Sequence, residues 1–167
     1  MPSSEPPTRH ERAGLLKERI YLTFAALAVV LTLGAHGHVD PIEAIRTLAV
    51  TVFGTLLAMF TADIISHLVV HERSMTGTEF RHASVTTFGA LGAVVLPFVF
   101  LAASAWGLWD TETALRAASF ALVAALIAIG FLAIRRVRLS WWKRALVLGV
   151  EAMLALIVIG LQVLAHG

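Results

Sequence analysis

Cysteine is absent from this chain, charge is scarce at 14% of residues, and tyrosine occurs once, whereas 58% of the 167 residues are hydrophobic. Without cysteine there is no disulfide, no thiolate metal site and no cysteine nucleophile, and the redox compartment stays open. The shortage of charge excludes an ordinary soluble domain, which carries about 25% charged and roughly 45–50% apolar residues. A chain with a mean hydropathy of +0.83 cannot hide its apolar surface behind a water-facing shell at this size, so lipid is its solvent. The pI near 9.7 does not signal nucleic acid as a partner. The basic residues collect in short segments between apolar runs, with no basic groove interleaved with aromatics.

Residues 1–14 are polar, contain three prolines and read as a short disordered tail on the cytoplasmic side. No secretory signal with a small-residue cleavage site precedes the first apolar run. Five such runs follow, and a spanning helix needs about 20 apolar residues. The expected fold is an all-α, polytopic membrane helix bundle. It forms one domain over 15–167, with transmembrane helices at about 17–36, 42–71, 83–109, 114–134 and 145–166.

Lysine and arginine set the orientation. Arg9, Arg12, Lys17 and Arg19 precede the first run, Arg73 and Arg81 lie between the second and third, and Arg135, Arg136, Arg138, Lys143 and Arg144 lie between the fourth and fifth. Only Arg46 and Arg116 fall on the other side. That asymmetry predicts the N-terminus in the cytoplasm and the C-terminus outside, with Trp141 and Trp142 at one interface and Trp106 and Trp109 at the other. The second run is long: a continuous helix from Ile42 to His71 extends ~45 Å at about 1.5 Å per residue, more than the ~30 Å hydrocarbon core. It is expected to tilt or protrude, and Pro97 is expected to kink the third helix.

Ionisable groups at membrane depth cost ~2.5–3.5 kcal/mol each on insertion scales, so they mark candidate sites. Asp63 in the second helix and Glu151 in the fifth each fall roughly 10–14 Å from a cytoplasmic helix end. Asp63, His67 and His71 follow one another at intervals of four and share a helix face, with Ser66 beside them. Glu18 and Tyr21 open the first helix from the same side, and Ser84, Thr86 and Thr87 open the third. The expected site is a cytoplasm-facing polar cavity built on Asp63, His67 and Glu151, with Glu18, Tyr21, Ser66 and His71 as further members. Carboxylate and imidazole together suit a divalent metal ion or a proton relay. The same groups also suit packing or partner binding.

A second cluster, His36, His38 and Asp40, with Glu43 close by and His166 at the opposite terminus, offers transition-metal donors within a short loop. The spacing of His67 and His71 matches half of a membrane di-iron pattern, but no H-x-x-H-H follows. H-E-x-x-H, G-x-S-x-G and P-loop motifs are absent, so no enzyme is expected. Small residues at Gly89, Gly92 and Ala93 and at Ala117, Ala118, Ala121 and Ala125 permit close helix packing, and they also suit a homodimer or a membrane partner protein.

Glu18-Arg19-Ile20-Tyr21, the stretch Ala62 to His67 and the Leu164 to His166 ending resemble a family of small uncharacterised multipass membrane proteins of actinobacteria. That resemblance implies a bacterial cytoplasmic (inner) membrane location. Ala58-Met59-Phe60-Thr61-Ala62-Asp63 is similar, more distantly, to the small-residue, methionine and acidic stretch of the vacuolar iron transporter family. Members of that family have five helices, N-in and C-out, and exchange Fe²⁺ or Mn²⁺ for protons as dimers. Thr23-Phe24-Ala25-Ala26 stands where that family has an Asp-Gly pair, and its acidic insert is here reduced to a short stretch around Glu72 and Glu79. The expected role is a cation or proton transporter or sensor; the alternative is a non-catalytic accessory or interaction membrane protein.

Overall fold

Apolar residues repeating every three to four positions wind this chain into helices, and no strand occurs among the described residues. The computed structural model describes residues 9–135, together with 141–142, 145–146, 149–150, 152–153, 156–157 and 160. The helices are α1 (Arg9–Ala35), α2 (Pro41–His71), α3 (Gly77–Gly89), α4 (Val95–Ala105) and α5 (Thr111–Arg135), with a 3₁₀ segment, Ala90–Val94, joining α3 to α4. Among the described residues four stretches are long and apolar enough to cross a membrane: Gly14–Ala35, Pro41–His71, Gly77–Ala105 and Thr111–Ala133. The fifth expected span falls largely on positions outside the described residues, as do Glu151 and His166; those that are described there are helical.

Helix boundaries follow local chemistry. α1 starts at Arg9 rather than after a 14-residue tail, because the charged segment before Lys17 is rich in Glu, Arg and Leu, which lose little rotamer freedom in a helix. α2 begins where the Asp40 carboxylate accepts the Ile42 and Glu43 amides at 3.0 and 3.1 Å, with Pro41 in the first turn. It runs for 31 residues, as long as expected. The third helix starts at Gly77, six residues before position 83, because Thr76 and Glu79 form a capping box. It ends at Ala105 rather than 109, where Gly107 turns the chain at φ 77. Pro97 sits in the first turn of α4 and lacks the amide that would reach the carbonyl of Ala93. The disturbance lies just before it, where Ala90–Val94 tightens into 3₁₀ geometry.

α1 is central and packs on α2, α3 and, most extensively, α5; α4 packs on α5 and α2. The core joins Leu22, Ala26, Leu27 and Val30 of α1 to the stripe Ala44, Leu48, Val52 and Leu56 of α2 and to Leu115, Ala118, Leu122 and Leu126 of α5. Large apolar residues on the outer faces, such as Val50, Phe53, Leu57 and Phe120, are exposed. That is the arrangement expected where lipid covers them. The start of α1 lies against α3: Leu15 is beside Gly89 and Thr86 is beside Gly14. One end of the bundle therefore carries the 72–76 turn and the start of α1, and the other carries the 36–40 and 106–110 turns.

Candidate functional site: a buried carboxyl pair and its recess

Glu18 belongs to the inward stripe of α1, one turn before Leu22, and is 2% exposed. Its Oε1 accepts a long, 3.4 Å bond from Thr87 Oγ1 of α3, and its Oε2 is buried without a hydrogen-bond partner. The Asp63 carboxyl of α2 approaches it closely enough for the two acids to interact directly. Asp63 occupies its position because it extends the core stripe of α2, two turns beyond Leu56. Three helices thus contribute an oxygen-bearing side chain to one polar point at the edge of the core.

Four residues on, His67 shares the face of Asp63. Its side chain is 12% exposed, and Nε2 is buried without a hydrogen-bond partner, 3.6 Å from Glu79 Oε2. The His71 ring stacks on it at 4.2 Å and bonds the His67 carbonyl through Nδ1 at 3.2 Å. Asp63, Ser66, His67, Val70, His71, Met75 and Ala83 line an open recess of about 400 Å³. Glu79 closes the α2–α3 hairpin. It receives Arg73 Nη1 and Nη2 at 2.9 and 2.7 Å and the Thr76 amide and hydroxyl, each at 2.8 Å. Glu79 in turn holds the Arg73 guanidinium above its ordinary range, through that hydrogen-bonded pair.

The expected members separate cleanly. Asp63, His67, Ser66 and His71 line one recess, and Glu18 meets Asp63 behind it. Tyr21 is 58% exposed and stays apart. Glu151 lies outside the described residues. The 36–40 loop is built as a helix exit and a cap: His36 Nδ1 donates to the Thr32 carbonyl at 2.7 Å, and Asp40 caps α2. Among the described residues no three His, Asp or Glu side chains converge as metal ligands. Glu79 lies outside the apolar runs, so intramembrane charge does not point to it, although Thr76-Gly77-Thr78-Glu79 spells a capping box. Comparison with protein-family models, curated proteins and solved structures yields no match, so the site's own geometry carries the functional reading.

Proposed function

We propose that the chain is a multi-pass protein of the bacterial cytoplasmic membrane that binds a proton or small cation at the Glu18–Asp63 pair, as a transporter or sensor. One observation carries this reading: Glu18 is 2% exposed, and its buried carboxyl meets a second carboxyl, that of Asp63, with no donor among the described residues for Oε2. Two acids side by side at the edge of the core, one of them buried, are stabilised by positive charge between them, from a shared proton or a bound cation. A purely structural position is filled more stably by an apolar side chain.

In this reading the recess opens to the cytoplasm. The starts of α1 and α3, the 72–76 turn and the end of α5 lie at one end of the bundle and carry Arg9, Arg12, Lys17, Arg19, Arg73, Arg81 and Arg135. This charge distribution supports N-terminus-in orientation, and a fifth span after Trp142 would place the C-terminus outside. The distant similarity to iron transporters is compatible with this arrangement, but the polar point is made of oxygens rather than of a clustered metal-ligand set.

The test is cation flux into proteoliposomes. Proton uptake under an imposed membrane potential, and Mn²⁺ or Zn²⁺ uptake under a pH gradient, are compared for the wild type, Glu18→Gln and Asp63→Asn. Uptake above that of empty vesicles, reduced about tenfold or more in both variants, is the expected result. Wild-type vesicles that match empty ones, together with no cation or pH effect on the folded protein, would assign the pair to helix packing or to a partner.

A further inference from the structure

Helical hydroxyls in this bundle follow one habit, and Thr87 departs from it. Thr23, Thr51, Thr61, Ser84 and Ser119 each donate to the carbonyl four residues back, at 2.6–3.0 Å. Thr87, 0% exposed, turns its hydroxyl away from its own helix to Glu18 Oε1 on α1, at 3.4 Å. An O–H bond to a carboxylate is ordinarily about 2.5–2.7 Å, so this long one repays little of the lost backbone bond. The other Glu18 oxygen, Oε2, is buried with no hydrogen-bond partner, and Asp63 brings a second carboxyl to the same point from α2. The basic residues on either side of Glu18, Lys17 and Arg19, are exposed, as are Arg73 and Arg81 at the same end of the bundle. Two carboxyls and a hydroxyl, from three helices, therefore meet without a basic side chain of their own.

Resting on the proposed cation-binding role, we infer that the ligand is a hard divalent cation of the size of Ca²⁺, held by Glu18, Asp63 and Thr87, with Thr87 as the donor that selects its size. Charge favours it, since two carboxylates balance two positive charges. The donor set favours it too: oxygens suit a hard cation, whereas the imidazole that suits Zn²⁺ is engaged elsewhere, with His67 Nε2 facing Glu79 at 3.6 Å. Spacing separates Ca²⁺ from Mg²⁺. Two oxygens about 2.4 Å from one ion and at right angles to each other lie roughly 3.4 Å apart, whereas the ~2.0–2.1 Å bonds of Mg²⁺ draw them to roughly 2.9 Å. The Glu18 Oε1 and Thr87 Oγ1 separation is 3.4 Å. With the ion bound, a Thr87 lone pair faces it, and the hydroxyl proton is free to take the Ala83 carbonyl, the bond that its five counterparts already make. Asp63 lines the open recess, so water there completes the coordination, while Leu22 and Leu56, each no more than 1% exposed, continue the two stripes inward.

The experiment is equilibrium binding of radioactive Ca²⁺ to the full chain in nonionic detergent micelles, with thermal melting as the check on folding. The expected result is one Ca²⁺ per chain, lost in Glu18→Gln and Asp63→Asn, about tenfold weaker in Thr87→Val and restored in Thr87→Ser. Mg²⁺ or Na⁺ in roughly hundredfold excess should displace little of it. A folded Thr87→Val that binds as tightly as the wild type overturns the part given to Thr87. Mg²⁺ or Mn²⁺ that displaces Ca²⁺ at equal concentration overturns the selection by size. A folded wild type that binds no Ca²⁺ but still takes up protons or Mn²⁺ through Glu18 and Asp63 overturns this inference and leaves the carboxyl pair as the binding site. Absence of both binding and uptake overturns the inference together with the reading it rests on.

Discussion

The two ends of the bundle are built from opposite chemistry. At the end bearing the 36–40 and 106–110 turns, the described side chains fill the core or cap helices. Leu48, Val52, Leu101 and Leu122 fill the core, Asp40 and Asp110 cap helices, and Ser104 bonds Thr111 at 3.3 Å. At the other end Glu18 and Thr87 take inward positions, Asp63 and His67 continue the inward stripe of α2, and two buried polar atoms are left without partners. An unsatisfied buried polar atom costs about 1–3 kcal/mol. Both ends carry capped helices, but only the end with Glu18 and His67 also carries buried polar atoms that cost stability.

Cutting into each end should move stability in opposite directions. The largest effect is expected from Leu122→Ala in the well-filled region, a loss of about 2 kcal/mol by reversible unfolding in detergent micelles. Lipid is as apolar as leucine, so that loss comes from vacated packing contacts rather than from transfer to water. Glu18→Met at the opposite end should raise stability by about 1 kcal/mol in the same measurement, because it removes a buried acid that faces a second one and holds Thr87 only by a long bond, while cation uptake disappears. Should Glu18→Met destabilise the bundle as Leu122→Ala does, the contrast between the ends would collapse and the acid would be a structural element.

Smaller effects test the capped end. Asp40→Ala leaves the Ile42 and Glu43 amides without their side-chain acceptor and should cost about 1 kcal/mol, with flux through the recess unchanged. The smallest expected effect is a pH dependence at Asp110. The Thr113 amide and hydroxyl, each at 2.8 Å, hold its carboxyl below the ordinary 3.8. A depressed folded-state pKa adds stability that is fully present above the unfolded value and is lost as pH falls through the folded one. Melting of the wild type should thus soften in acid more than melting of Asp110→Asn. Equal acid sensitivity would show that the α5 cap contributes nothing.

Much of this molecule was legible before any coordinates. Helical periodicity, run length and the alternation of basic segments depend on local sequence and on the solvent, so α2 has the length expected from residues 42–71. Boundaries were less legible where a side chain overrides hydropathy: the third helix starts at Gly77 because Thr76 and Glu79 cap it, although its first turn is polar. Asp63, His67, Ser66 and His71 were assignable to one face from their spacing alone, and the structure brings all four to one recess.

By itself, the sequence determined that lipid is the solvent, that the chain is helical, and which ionisable groups lie within apolar runs, because those properties follow from composition and from spacing along one helix. Only the tertiary structure decided that Glu18, a residue that looks like the charged flank of a helix, turns inward to meet Asp63 and Thr87 while Tyr21, three residues on, faces outward. The reason is geometric. Which helices become neighbours, and how each is rotated about its axis, depends on the packing of Leu22, Ala26, Leu48, Val52, Leu122 and Leu126. No spacing within one helix encodes a contact between residues 18, 63 and 87.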